Sequence, residues 1–174
     1  MTNKKVLYID MDGVLVDFKS VYPKLTAEQR AKYNPKDPEG KKDHEAPYDL
    51  IPNIFSIMEP INGAIAAYEK LSQVYETYIL STAPWENPSA WSDKLEWVKR
   101  HLGHLDEGKA EADRVVEKRL ILSHHKDLNR GDYLIDDRDK ANGVPDFKGE
   151  FIHFGPESEK YPDWDSVLKY LLKA

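Results

Sequence analysis

Short apolar runs alternate with longer segments of mixed polarity along this chain. The runs are rich in β-branched and aromatic residues, which is typical of strands buried in a sheet. They are Val6 to Asp10, Thr77 to Thr82, Arg119 to Ser123, Tyr133 to Asp136 and Glu150 to Phe154. Intervening helical segments favour a parallel arrangement. We therefore predict an α/β fold, a Rossmann-like parallel five-stranded sheet with helices on both faces.

Three of the longer segments carry apolar residues at helical spacing. They are Asn62 to Gln73, Ser89 to Leu102 and Asp163 to Ala174. Asn62 and Asp163 are predicted N-caps, and Gly103 is predicted to end the second helix in a left-handed conformation. We expect Trp91 and Trp164 to pack into the core, because both stand on the apolar faces of their helices.

Residues capable of chemistry stand at the carboxyl ends of four predicted strands. They are Asp10, Thr82, Ser123 and Asp136. Right-handed crossovers bring these ends to one edge of a parallel sheet, where α/β folds bind ligands. Asp12 lies two residues beyond Asp10, so both side chains point the same way in an extended segment. Two adjacent carboxylates repel unless a cation or a shared proton intervenes, and the pair therefore indicates a hard metal ion.

Four motifs follow one another along the chain. They are Asp10-Met11-Asp12-Gly13-Val14-Leu15, Tyr78-Ile79-Leu80-Ser81-Thr82-Ala83-Pro84, Ser123-His124-His125-Lys126 and Tyr133-Leu134-Ile135-Asp136-Asp137-Arg138. In this order they resemble the signatures of the haloacid-dehalogenase-like (HAD) phosphohydrolases. The continuation of the first motif to Phe18, with Met58 to Ala64 and Lys94 to Val98, is similar to the 5'(3')-deoxyribonucleotidase branch. The resemblance covers most of the chain, but Ser20 to Asn53 matches poorly.

The resemblance implies roles for the four aspartates. Asp10 would be the nucleophile that forms an aspartyl-phosphate, and Asp12 the general acid and base. Asp10, the backbone carbonyl of Asp12, Asp136 and, directly or through water, Asp137 would hold Mg²⁺. From the residues alone, Asp10 could instead be a metal ligand or a helix cap, Asp12 a second carboxylate ligand, and Asp136-Asp137 a capping pair at a turn.

The resemblance also implies how a phosphate is bound. Thr82 would donate a hydrogen bond to a phosphoryl oxygen, and Lys126 would neutralise the phosphate and Asp10. Ala83 stands where many family members have serine, so a backbone N–H would replace one side-chain contact. Lys94 matches a lysine of the branch and would add positive charge, although a solvated lysine is the alternative.

A long connection separates the first two strands of the predicted sheet. Its middle, Asn34 to His44, is polar and rich in Pro and Gly, but apolar residues flank it. We predict a small helical cap at 18–59 on a catalytic core formed by 1–17 and 60–174, and the alternative is an excursion that never touches substrate. Phe18, Phe55 and Tyr48 are the candidate substrate contacts, with packing inside the cap as the alternative for Phe18.

Composition and net charge limit the classes of partner that this protein could bind. The net charge is −6, which argues against binding a nucleic-acid polymer but allows a small phosphorylated substrate. The chain has no cysteine, so disulfides and zinc–thiolate sites are excluded. The apolar run near the N-terminus is interrupted by Asp10 and Asp12, and no segment has the length of a membrane span. We predict a cytoplasmic protein without membrane contact, as a monomer or homodimer.

Together these observations predict a Mg²⁺-dependent phosphomonoesterase that dephosphorylates nucleoside monophosphates. A phosphatase for another small metabolite, such as a sugar phosphate, is the closest alternative. A signalling receiver domain would also combine acids, a hydroxyl and a lysine, but its phospho-acceptor lies on a later strand than its acidic pair. An inactive phosphate-binding protein is the remaining alternative, although every expected catalytic position is filled.

Overall fold

The computed structural model describes residues 4–37 and 39–173. Within these ranges the strands are β1 (Val6–Ile9), β2 (Val16–Asp17), β3 (Glu59–Pro60), β4 (Glu76–Ser81), β5 (Leu120–Leu122), β6 (Tyr133–Asp136) and β7 (Glu150–His153). The α-helices are α1 (Ala27–Tyr33), α2 (Ala64–Val74), α3 (Ser89–Leu102) and α4 (Trp164–Leu171). Short 3-10 helices connect these elements. No helix in the described ranges has the length and apolar composition needed to cross a membrane.

Five strands form one parallel sheet in the order β5-β4-β1-β6-β7. Ile9 of the central strand lies beside Ile79 on one side and Ile135 on the other. The chain runs outward from β1 through β4 and β5, and then continues to β6 on the opposite side of β1. This reversal opens a crevice at the carboxyl end of β1, the position at which such sheets bind ligands. The predicted α/β fold is confirmed.

The two faces of the sheet are covered differently. Leu7 and Ile9 belong to the main core, together with apolar residues of α2, α3 and α4. Tyr8 points the opposite way, into a smaller cluster with Leu80, Leu134, Val144 and Phe147. The 3-10 helix Val144–Asp146 lies in this second cluster. The α-helices therefore pack on one face, and tight helical turns complete the other.

The ends of the predicted helices were only partly correct. Asp163 caps α4 as predicted, since its side chain accepts a hydrogen bond from the Ser166 N–H, but α4 ends at Leu171 and Ala174 lies outside the described residues. Gly63, not Asn62, is the N-cap of α2. Gly103 has a right-handed φ of −54°, because the chain continues directly into a 3-10 helix at Gly103–Asp106.

The face of α3 that carries Trp91 was predicted to pack into the core, and that prediction is wrong. Trp91 is 38 % exposed, and Leu95 beside it is also exposed. The buried face instead carries Trp97, whose indole N–H donates to the Met58 carbonyl at 3.0 Å, and the side chain of Lys94. Trp164 is buried as expected, and its indole N–H donates to the Val14 carbonyl.

The connection at 18–59 leaves and rejoins the core through a short antiparallel ribbon. Val16 of β2 pairs with Pro60 of β3, and Asp17 pairs with Glu59. Between them lie α1 and four 3-10 helices, at Phe18–Lys24, Asp43–Glu45, Tyr48–Leu50 and Phe55–Ile57. A buried Asp43 accepts hydrogen bonds from Arg30 and from the Tyr48 hydroxyl, which holds the inner part of this segment together. The division into core and cap stays a prediction.

Candidate active site

The candidate site lies at the carboxyl ends of β1, β4 and β6. Asp10 directly follows β1, and its N–H donates to the Ile135 carbonyl at 2.9 Å. Asp136 is the last residue of β6, and Thr82 directly follows β4. The parallel register thus brings three separated segments to one edge, as the sequence predicted.

A tight turn after β1 carries Asp12 into the same place. The Met11 carbonyl accepts hydrogen bonds from the N–H groups of Val14, Leu15 and Val16. Gly13 has a φ of +75°, a conformation that side chains disfavour, and a Cβ at this position would overlap the Asp137 carboxylate. Glycine is therefore required here, because the turn passes directly against the second acidic motif.

Three carboxylates converge in the floor of the site. Asp10, Asp136 and Asp137 each offer an oxygen, and these oxygens lie within 4.8 Å of one another. The buried Lys126 ammonium is 3.0 Å from Asp10 Oδ1 and 2.5 Å from Asp136 Oδ2. Asp136 Oδ1 accepts the Arg138 N–H, whereas the buried Asp137 Oδ1 accepts no hydrogen bond from any described residue.

The cluster carries more negative than positive charge. Burial and the carboxylates of Asp10 and Asp136 raise the pKa of Asp137 to about 7. Burial and Asp10 likewise raise the pKa of Asp136. Burial alone would lower the pKa of Lys126, but Asp10 and Asp136 outweigh it and raise that pKa. One ammonium among three carboxylates leaves a site that fits a divalent cation with oxygen ligands.

The Lys94 ammonium contacts Asp12. Lys94 is fully buried, and its Nζ lies 2.6 Å from Asp12 Oδ2 and 3.2 Å from the Ser81 hydroxyl. The same ammonium stands 4.7 Å from the centre of the Phe55 ring. Burial raises the pKa of Asp12, and Lys94 opposes that rise. The alternative of a solvated Lys94 is thereby excluded, while phosphate binding by Lys94 stays a prediction.

The two predicted phosphate contacts, Thr82 and Ala83, directly follow β4. Thr82 lines the same cavity as Asp10, and its hydroxyl donates to the Ser123 carbonyl at 2.8 Å. Ala83 is fully buried, so only its backbone can contribute to a phosphate contact. Both roles stay predictions, and Thr82 would have to turn its hydroxyl away from Ser123 to donate to phosphate.

An open cavity of about 530 Å³ joins these groups to the segment at 18–59. Phe18, Tyr22 and Phe55 form its aromatic wall, with Phe18 in edge contact with both other rings at 6.0–6.3 Å. Tyr48, predicted as a substrate contact, is fully buried behind this wall and hydrogen-bonded to Asp43 at 2.6 Å. It cannot reach a substrate in this arrangement, so that prediction is wrong.

Several cavity residues were not identified from the sequence. They are Tyr22, His44, Ala46, Asp49, Pro84, Trp85, Arg138 and Asn142. Pro84 and Arg138 are the last residues of the second and fourth motifs, and those positions were the available signals. The other residues come from loops and from the poorly matching segment, where no local pattern distinguishes a side chain that faces the cavity.

Comparison with known sequences indicates one family for this chain. The sequence model of the family described as "5' nucleotidase, deoxy (Pyrimidine), cytosolic type C protein" matches residues 4–162. A protein of Vibrio phage KVP40, named as a candidate 5'(3')-deoxyribonucleotidase, is 49 % identical over 170 residues, which cover 98 % of this chain and 86 % of that protein. The human 5'(3')-deoxyribonucleotidase of cytosolic type is 28 % identical over 179 residues, which cover 92 % and 77 % of the two chains.

A solved structure shows the same fold. The magnesium-bound candidate HAD-hydrolase YfnB from Bacillus subtilis aligns with a TM-score of 0.58 at 12 % identity, covering 98 % of this chain and 99 % of that one. At that identity the likeness concerns the fold. The family match, at residues 4–162, contains every residue of the candidate site described above. The chain therefore belongs to the 5' nucleotidase, deoxy (pyrimidine), cytosolic type C family and is a nucleotidase, a phosphoric monoester hydrolase.

Proposed function

We propose that this enzyme is a Mg²⁺-dependent phosphatase that dephosphorylates nucleoside monophosphates through an aspartyl-phosphate on Asp10. The observation that carries the proposal is the convergence of four segments on one cavity. Asp10, Asp12 and Thr82 line it, with Lys126 directly beneath Asp10 and an aromatic wall on the far side. Each group that phosphoryl transfer requires is therefore within reach of one bound phosphate.

Asp10 is the nucleophile in this proposal. Its carboxylate oxygen attacks phosphorus, the P–O ester bond breaks, and the phosphoryl group is transferred to Asp10. Lys126 holds the Asp10 carboxylate from one side at 3.0 Å, which limits its rotation and offsets the negative charge that accumulates. Thr82 and the backbone at Ala83 would orient the phosphoryl oxygens.

Asp12 is the general acid and base in this proposal. It donates a proton to the leaving alkoxide as the ester bond breaks, and then accepts a proton from the water that attacks the aspartyl-phosphate. This second attack releases inorganic phosphate and restores Asp10. Lys94, at 2.6 Å, orients the Asp12 carboxylate toward the cavity. The division of roles between the two aspartates is the one that the family resemblance implies; Asp10 belongs to the carboxylate cluster, and both residues line the cavity.

The carboxylate cluster fits a magnesium ion. Asp10, Asp136 and Asp137 would hold it, together with the Asp12 backbone carbonyl, and Asp137 Oδ1 is a buried oxygen that lacks any other partner among the described residues. When bound, Mg²⁺ neutralises charge on the phosphoryl oxygens and on Asp10 during transfer.

The cavity supports a nucleotide as substrate. Its volume of about 530 Å³ lies in the range of small-molecule sites, and the aromatic wall of Phe18, Tyr22 and Phe55 offers apolar contact to a sugar or base. The segment at 18–59 would act as the cap that supplies this wall. We further propose a cytoplasmic location, in line with the name of the human relative.

A substrate panel tests the proposal. Purified enzyme is assayed for phosphate release from nucleoside monophosphates and sugar phosphates, with Mg²⁺ and with EDTA, beside the variants Asp10→Asn and Asp139→Asn. Asp139 is an exposed acid near the cluster and is the matched control. We expect Mg²⁺-dependent release from nucleotides, loss of turnover in Asp10→Asn, and normal turnover in Asp139→Asn.

The outcomes separate the parts of the proposal. Hydrolysis that persists in Asp10→Asn would contradict the nucleophile assignment. Full activity in EDTA would contradict the metal. Activity on sugar phosphates with none on nucleotides would select a different phosphatase on the same fold.

A further inference from the structure

A tryptophan at the mouth of the cavity has no role in the chemistry described so far. Trp85 lines the cavity, yet 76 % of its surface is exposed. The other three tryptophans of the chain are more buried than this one. Exposed indole surface is unfavourable in water, so a tryptophan kept at the rim of a binding cavity points to a ligand that covers it.

The surroundings of Trp85 hold the ring without burying it. It follows Pro84, which also lines the cavity, and its ring lies edge-on to His124 with ring centres 5.9 Å apart at 71°. The His124 ring, which also lines the cavity, lies with its centre 6.1 Å from that of Trp91, a residue that does not line the cavity. The indole is thus supported from one side and remains largely open to solvent.

Trp85 lies close in the chain to Thr82, the predicted phosphate contact. It stands three residues after Thr82, and three extended residues span at most roughly 10 Å. Trp85 lines the same cavity as Asp10 and Thr82, so a base joined through its sugar to a phosphate at those two residues would extend toward the cavity mouth where Trp85 stands. The aromatic wall of Phe18, Tyr22 and Phe55 belongs to a different segment, 18–59, whereas Trp85 belongs to the core.

We infer that Trp85 is a stacking platform for the nucleobase and determines preference for nucleotides over phosphates that lack a flat ring. The inference rests on the proposed function and deepens it. Stacking on an aromatic side chain is tolerant of base identity, because every base presents a π face. Trp85 would therefore favour nucleotides as a class, and polar residues at the cavity edge would distinguish among bases.

Steady-state kinetics of two substrates test this inference. Thymidine 5'-monophosphate carries a base, and 2-deoxyribose 5-phosphate presents the same sugar and phosphate without one. We expect Trp85→Ala to raise KM for the nucleotide by roughly tenfold, the scale of base–aromatic stacking, with kcat changed less than about twofold. KM for deoxyribose 5-phosphate should stay unchanged, and Trp85→Phe should restore most of the nucleotide affinity.

Trp91→Ala is the matched control. It also removes a tryptophan in contact with His124, but one that does not line the cavity, so both KM values should remain at the wild-type level. Thermal unfolding of each variant verifies folding, and the exposure of Trp85 predicts little loss of stability.

Three results would overturn the inference. Equal changes in KM for both substrates in Trp85→Ala would show that the residue acts on the site as a whole. A matching nucleotide-specific loss in Trp91→Ala would assign the effect to His124. No change at all would leave the base without a contact at Trp85. Failure of the wild-type enzyme to hydrolyse any nucleotide would instead refute the proposed function, and the inference with it.

Discussion

Replacing Asp137 by asparagine should stabilise the metal-free protein at neutral and alkaline pH. Burial beside Asp10 and Asp136 raises the pKa of Asp137 from its ordinary value of 3.8 to about 7. Ionising this carboxyl in the folded state therefore costs about 4 kcal/mol, from about 1.4 kcal/mol for each of roughly three pH units. Because burial is the largest cause of this shift and asparagine is itself a polar group that must be buried, we expect the substitution to recover only part of that cost, roughly 2 kcal/mol.

The direction of the pH dependence follows from proton binding. Below about pH 4 the carboxyl is protonated in both the folded and unfolded states, so wild type and Asp137→Asn should unfold with similar free energies. Between about pH 4 and pH 7 the folded wild type keeps a proton that the unfolded chain has lost, and its stability falls as pH rises. The advantage of the variant should therefore grow through this window and be complete above pH 7.

Urea unfolding in EDTA at several pH values measures the difference. Asp139→Asn, which removes an exposed carboxylate nearby, serves as the control. Its free energy of unfolding should differ little from that of the wild type at any pH. Adding Mg²⁺ should make the wild type more stable than Asp137→Asn. A cation at one hundred times its Kd stabilises the wild type by about 2.7 kcal/mol, and it stabilises the variant less because asparagine is a poorer ligand. A difference between Asp137→Asn and wild type that is absent, or constant with pH, would refute the electrostatic reasoning.

Three further predictions follow from other parts of the structure. Gly13→Ala should destabilise the protein by about 1–3 kcal/mol in urea unfolding and abolish turnover, since it combines a positive φ with overlap on Asp137; a fully active variant would contradict this. Lys94→Met should lower kcat more for nucleotides than for p-nitrophenyl phosphate, whose leaving group needs less help from Asp12; equal losses would indicate a structural role. Burial alone would raise the pKa of Asp43, but hydrogen bonds from Arg30 and Tyr48 lower it, so its stabilisation is present above about pH 4 and lost as pH falls. Asp43→Asn should therefore cost about 1–3 kcal/mol in urea at pH 7 and much less at pH 3, and an equal cost at both pH values would argue against the ion pair.

The sheet and its acidic residues were predictable because the signals are local. A buried parallel strand needs a short apolar run, and β1, β4 and β6 each show one. Asp10 directly follows the first, Thr82 the second, and Asp136 ends the third. Once the strands are parallel, their carboxyl ends must lie together, so Asp10, Thr82 and Asp136 converge without further information.

The faces of α3 show where local patterns fail. By spacing, Trp91 and Leu95 look like core residues, yet both are exposed. Lys94, for which a solvated side chain was the alternative to a role in the site, is fully buried. A lysine can be buried when its ammonium has a carboxylate partner, and that partner, Asp12, is 82 residues away in the chain. No window of sequence around Lys94 contains this information.

In the segment at 18–59, the orientation of the side chains depends mainly on tertiary structure. Phe18 and Phe55 line the cavity, in line with their predicted role as substrate contacts. The sequence did not indicate that Tyr48 would turn inward to Asp43 or that Tyr22 would line the cavity. The sequence by itself determined which strands form and which acids stand at their ends, because strand formation and chain direction depend on neighbouring residues. Only the tertiary structure decided which side chains are paired in the interior and which line the cavity, because those choices depend on partners far apart in the chain.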